Sequence, residues 1–197
     1  MSKFTSATLP DLSAIDSEQE HWLGNFILNS IMRANVQSPQ RQRLFNFLRR
    51  SHSAFEEYSS ARELTLKYLA NPESKLSYLK SVGHWEALLG YIWQAYRLIL
   101  PKEFGNLYVK GDESFFERLN NLYNKSKHVD GAIVDEKYFE DSPLCVWLTN
   151  EGLKSTDESV TFVEVVETLA QLAQLSAAVQ DPLTMRDKIM DLFQIIR

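Results

Sequence analysis

From Pro39 to Pro101 nearly every residue falls into one of two helical runs, and only a short stretch around Asn71-Pro72 separates them. In the first run Leu44, Leu48, Phe55 and Tyr58 recur at spacings of 4, 7 and 3, one stripe of a helix, with Ser38-Pro39 placing proline at the first helical position. The run extends to Asn71, well beyond the ~11 residues of an average helix, and Ser51 to Ser53 is where a break would fall. The second starts near Ser74 and carries Leu76, Leu79, Val82, Leu88, Leu89, Ile92, Tyr96 and Leu98 before Pro101. Long apolar stripes joined by short turns can be buried only against other helices, which predicts an antiparallel helical bundle.

The flanking segments extend this pattern. Residues 1–15 read as a flexible N-terminal arm, after which Asp16 or Ser17 caps a helix carrying Trp22, Leu23, Phe26, Ile27, Ile31 and Met32 and ending near Val36. A further helix starts at the cap Asp112 and runs through Phe115, Leu119 and Leu122 to about His128. Gly131, Pro143, Asn150 and Gly152 interrupt the helical rhythm between Val129 and Glu158, where residues 144–149 have the character of one short strand or hairpin. Helicity resumes near Val160, with Phe162, Val165, Val166, Leu169, Leu172 and Leu175, and Asp181-Pro182 opens a last helix. The expected fold is all-α, a bundle of five or six helices, forming a single domain over residues 16–197.

The formal charge of −5 argues against coating nucleic acid by bulk electrostatics. Its distribution is uneven: residues 1–110 sum to +3 and residues 111–197 to −8. No acid falls between Glu20 and Glu56, whereas Arg33, Arg41, Arg43, Arg49 and Arg50 do. The single cysteine, Cys145, lies in an apolar context, which reads as a buried inert thiol and excludes an intrachain disulfide or thiolate metal site. The N-terminus lacks the apolar core of a signal peptide, and no run approaches ~18 continuous apolar residues. The expectation is a cytoplasmic protein without a membrane segment.

No GxGxxG or GxxxxGK[ST] loop, HExxH, CxxC or EF-hand pattern occurs, so neither a cofactor nor a metal is expected. The four histidines, His21, His52, His84 and His128, are scattered and read as surface or interface residues. The informative segment runs from Phe115 to His128. At about 100° per residue, Phe115, Leu119 and Leu122 share one side, while Glu117, Asn121, Asn124 and His128 line the other. Such groups bind phosphate or position a hydroxyl, with imidazole available to move a proton. The plainer reading is the solvated face of an amphipathic helix.

The run Leu122-Tyr123-Asn124-Lys125-Ser126-Lys127-His128, ending a helix in an all-helical chain of this size, resembles the signature region of HEPN-like domains. Val146 to Leu153 is similar to the segment after that helix in some small bacterial members. The resemblance implies a helical bundle that often dimerises through the signature helix, found in toxin and antitoxin pairs, antiviral defence and RNA processing. Active members are metal-independent endoribonucleases. Their motif has an Arg, then four to six residues, then a His, but this chain has Asn121, Leu122 and Tyr123 where the Arg would stand. Arg118 precedes His128 by ~15 Å along a helix axis and about 80° around it, so the two cannot pair within one straight helix. The resemblance therefore carries catalytic roles only to His128 and Asn124.

Asn121, Lys125, Lys127 and Arg118 are the further candidates for contact with RNA or a partner, together with Arg43 and Arg50, which lie seven apart on one helical face. Phe45 and Phe47 interleave the arginines, as in base stacking, although core packing is the commoner use of such rings. Three functions stand as expectations: a non-catalytic HEPN-like module binding RNA or a cognate protein, an active ribonuclease using His128 at a homodimer interface, and a structural subunit with no site of its own.

Overall fold

The computed structural model describes residues 4–32, 36–100, 105–129, 144–180 and 185–196. Within them the order is α1 (Ser13–Met32), α2 (Gln40–Ala70), α3 (Lys75–Ile99), α4 (Phe115–Lys127), β1 (Trp147–Leu148), β2 (Gly152–Lys154), β3 (Ser159–Thr161), α5 (Phe162–Val179) and α6 (Met185–Ile196). The mostly helical expectation holds. The region expected to hold one strand or hairpin instead folds as a three-stranded antiparallel sheet, β1-β2-β3, with Leu148 opposite Leu153 and Leu153 opposite Val160. Part of its signal lay beyond 149, where Val160 and Thr161 also fit the helical pattern of the next element.

The α2–α3 hairpin is the spine. Helix α2 is unbroken for 31 residues, and Ser51, where a break was expected, is buried inside it. Small residues at Ser51, Ala54 and Ala61 let α3 approach along α2's buried face. The two helices are tied by a buried polar cluster: Trp85 Nε1 donates to Thr65 Oγ1 at 3.0 Å, and Thr65 Oγ1 and Ser81 Oγ lie 2.6 Å apart. Trp85 packs edge-on to Tyr58 at 5.8 Å and against Phe162 of α5 at 5.0 Å, so one indole joins three helices. Burying a large aromatic with its N–H satisfied is the most stabilising use of tryptophan in a core.

Helix α5 crosses this hairpin, burying Phe162, Val165, Leu169, Leu172 and Leu175. It is the one helix among the described residues long and apolar enough to cross a membrane by length and composition, and half of it is buried inside the fold. The expectation from continuous apolar runs missed it, because Glu164, Glu167 and the glutamines interrupt its hydrophobic stretch.

Of the arm expected over residues 1–15, residues 4–13 are described with their side chains, and several of them are held against the helices. Phe4 and Leu9 are buried, Tyr58 Oη donates to Pro10 O at 2.7 Å, Arg62 Nε donates to Leu9 O at 3.0 Å, and Asn150 Oδ1 accepts from Thr5 N at 2.9 Å. Two anchoring apolar side chains and three hydrogen bonds hold a polar sequence that has no periodicity of its own. Helix α1 begins at Ser13, whose N–H is accepted by Asp11 Oδ1 at 2.9 Å. Helix α2 begins one residue after Pro39, and no side chain caps it.

Candidate functional site

Helix α4 carries the signature residues, and its start is built by the preceding turn. Asp112 does not cap the helix as expected. Its carboxylate accepts from Val109 N at 2.7 Å and Ser114 N at 2.9 Å, closing a turn in which Gly111 and Glu113 take positive φ. These amide bonds, led by that from Ser114, hold the Asp112 carboxyl below its ordinary range. Ser114 is the cap, accepting from Glu117 N at 3.3 Å. Glu117, expected on the outward polar stripe, is buried and accepts from Gly111 N at 2.6 Å and Glu113 N at 2.8 Å. It locks the turn and is not exposed to a ligand.

One side of α4 is committed to the sheet. Arg118 donates to Glu164 Oε1 at 2.5 Å, to Ser159 O at 2.6 Å and to Glu113 O at 3.2 Å. Burial pushes the Glu164 carboxyl up, but hydrogen bonds from Arg118 and Thr161 and the guanidinium charge together hold it below its ordinary range. Glu164 also closes a capping box with Thr161 at the start of α5. Asn121 Nδ2 donates to Glu158 Oε1 at 2.7 Å, and Lys125 bonds Ser155 Oγ at 3.1 Å and pairs with Asp157. Three of the candidate residues thus clamp the β-hairpin to α4.

The other end of the stripe faces outward. His128 is the C-cap, its backbone N–H donating to Asn124 O at 2.9 Å, and both side chains are exposed. The exposed Lys127 ammonium lies 5.9 Å from the Tyr123 ring. Tyr123 in turn lies flat against α3: a Cβ at Gly90 would meet its ring at 2.9 Å, and its hydroxyl accepts from Gln94 Nε2 at 3.4 Å. The missing side chain at Gly90 is what lets α4 seat its tyrosine on the outer surface of α3.

That surface also receives the basic helix. Arg50 sits 5.3 Å over Tyr91 and Arg97 sits 6.0 Å over Trp93, both within the range of cation–π attraction. Asn46, Arg50, Trp93, Gln94, Arg97 and Leu98 line an open groove of about 460 Å³. Arg43, two turns before Arg50, is exposed. Of the two uses that sequence left open for Phe45 and Phe47, base stacking and the commoner core packing, the second holds. Phe47 is fully buried and Phe45 packs against the core, whereas the rings beside Arg50 and Arg97 are Tyr91 and Trp93 of α3. The signal that would have found them is a second acid-free stretch, between Glu86 and Glu103, containing Tyr91, Trp93 and Arg97.

Of the remaining candidates, His84 Nδ1 contacts Glu57 Oε2 at 2.6 Å across the hairpin, an interface histidine, and His52 lies 3.6 Å from Glu56. Burial pushes the Glu86 carboxyl up to about 7. Among the described residues no group of three or more His, Cys, Asp or Glu side chains could hold a metal ion. No protein-family model matches this chain, and no curated protein or solved structure matches it.

Proposed function

We propose that the chain is a non-catalytic HEPN-like module that binds RNA. The observation that carries the reading is the employment of Arg118. The one arginine of the signature helix is spent on Glu164 and the Ser159 carbonyl, and Lys125 is engaged by Asp157 and Ser155. RNA cleavage without a metal needs one group to move protons and another to stabilise charge on the phosphorus. His128 can supply the first, and the arginine that would supply the second is committed to the sheet. Binding needs less. The exposed Lys127 and the arginines of α2 and α3 give a cationic face on an otherwise acidic chain, which favours a polyanion over a neutral ligand.

A cytoplasmic role in bacterial defence or a toxin and antitoxin pair, with dimerisation through α4, is the setting the resemblance implies. The test is fluorescence anisotropy with mixed-sequence single-stranded RNA between about 50 and 200 mM salt, beside a cleavage assay with EDTA present. Salt-sensitive binding with intact RNA is expected. Cleavage abolished by His128→Ala would establish a ribonuclease instead, and failure to bind RNA at the lowest salt would sink the RNA reading.

A further inference from the structure

Three cation–aromatic pairs, Arg97 with Trp93, Arg50 with Tyr91 and Lys127 with Tyr123, meet on one surface, although they come from α2, α3 and α4. The groove residue Gln94 links them by its bond to Tyr123. Tyr108 backs Trp93 at 6.1 Å and is itself fixed by Asn120 Nδ2 at 2.9 Å, so the indole rests on a braced platform. No acid lies on α2 between its start and Glu56, nor on α3 after Glu86. Arginines laid over aromatic rings beside two amide side chains, with no carboxylate among the described residues that line the groove, form an arrangement suited to a phosphate chain whose bases are free to stack.

We propose that this groove is where the RNA is read, and that it takes a single strand and not a duplex. The inference rests on the RNA-binding reading above and deepens it. Phosphates lie on Arg50, Arg97 and Lys127, and a base stacks on the indole of Trp93, slipping between it and the Arg97 guanidinium. Asn46 and Gln94, which donate one amide N–H to Gln42 O and to Tyr123 Oη, each keep a second N–H for base edges or ribose hydroxyls. A duplex cannot stack on the platform, because its base faces are buried in its own stack and it presents only backbone and base edges outward. The groove is open, with a volume of about 460 Å³, so one or two nucleotides lie along it without being enclosed.

The tryptophans give a direct readout. Trp22, Trp85 and Trp147 are buried and Trp93 is half-exposed, so a stacked base quenches Trp93 emission selectively. Full-length protein is titrated with a single-stranded RNA, the matching single-stranded DNA and the matching RNA duplex, following anisotropy and tryptophan emission. Single-stranded RNA is expected to bind tightest and to quench, with a log–log salt slope of about −2 from three phosphate contacts. Trp93→Leu abolishes the quench and weakens binding by about 5- to 150-fold. Arg50→Gln and Arg97→Gln each weaken binding and flatten the slope by about 0.7. Lys67→Gln, an exposed cation in the last turn of α2 and outside the groove, leaves these quantities unchanged.

Unaltered circular dichroism melts show that the variants fold. If wild-type protein binds RNA but the groove variants bind as well as it does, or duplex binds as tightly as single strand, the groove assignment is overturned while the RNA reading stands. If DNA equals RNA, the stacking site survives and the selectivity for RNA is wrong. If nothing binds, or only an acidic peptide does, both proposals fall.

Discussion

Gly152→Ala is the sharpest test of the tertiary arrangement that occupies Arg118. Gly152 is buried in β2, opposite Thr161. A Cβ there would overlap Val160 O and stand 2.6 Å from Thr161 Cα. Both atoms belong to the backbone of β3, so no rotamer change relieves the overlap. Restoring ordinary contact at ~3.5 Å parts the strands by about 1–1.5 Å. Bonds such as Phe162 N to Glu151 O, now 2.9 Å, then leave hydrogen-bonding range. Losing two such bonds at about 1 kcal/mol each, with about 1 kcal/mol of residual crowding, gives a cost of about 3 kcal/mol. In a chain of this size that lowers the melting temperature by roughly 6–12 °C. Gly83→Ala is the control: nothing lies within 4 Å of its Cβ position, and in the interior of α3 alanine is worth up to about 1 kcal/mol over glycine. Melts by circular dichroism should therefore move in opposite directions. Equal shifts, or a Gly152→Ala melt within about 2 °C of wild type, would refute the close approach of β2 to β3.

The same contacts carry other expectations. Thr65→Val keeps the volume but orphans the Trp85 indole N–H, and should cost about 1–3 kcal/mol in urea denaturation with an unchanged m-value; a neutral result would mean that water reaches the indole. Glu86 has its folded pKa raised by burial to about 7, so wild-type stability should fall as pH rises from about 4.5 to 7. Glu86→Gln should remove that fall and gain about 1–2 kcal/mol at pH 8, the partial exposure of the group limiting the effect; parallel pH profiles for the two proteins would contradict it. A double-mutant cycle of Arg118→Gln with Glu164→Gln should give a coupling of about 0.5–1.5 kcal/mol, and a coupling near zero would free Arg118 for catalysis.

The hairpin of α2 and α3 was legible because each helix writes its burial into local spacing. Leu44, Leu48, Phe55 and Tyr58 point one way by the geometry of a single helix, whatever packs against them. Asn124 and His128 at the outward end of the α4 stripe were legible for the same reason, as was its cationic end. What occupies such a stripe is not local. Glu117, Asn121, Lys125 and Arg118 read alike as solvated residues, and only the return of the chain through the sheet supplied Glu158, Asp157 and Glu164 to bind the last three. Glu164 closes the capping box with Thr161 and also pairs with Arg118, a contact between distant segments that no local pattern carries. The basic-aromatic groove shows the same division most plainly. The arginines of α2 were visible as a charge run, yet the ring beside Arg50 is Tyr91 of α3. Helix periodicity fixes which side of a helix a residue occupies, and packing between helices decides what it faces there.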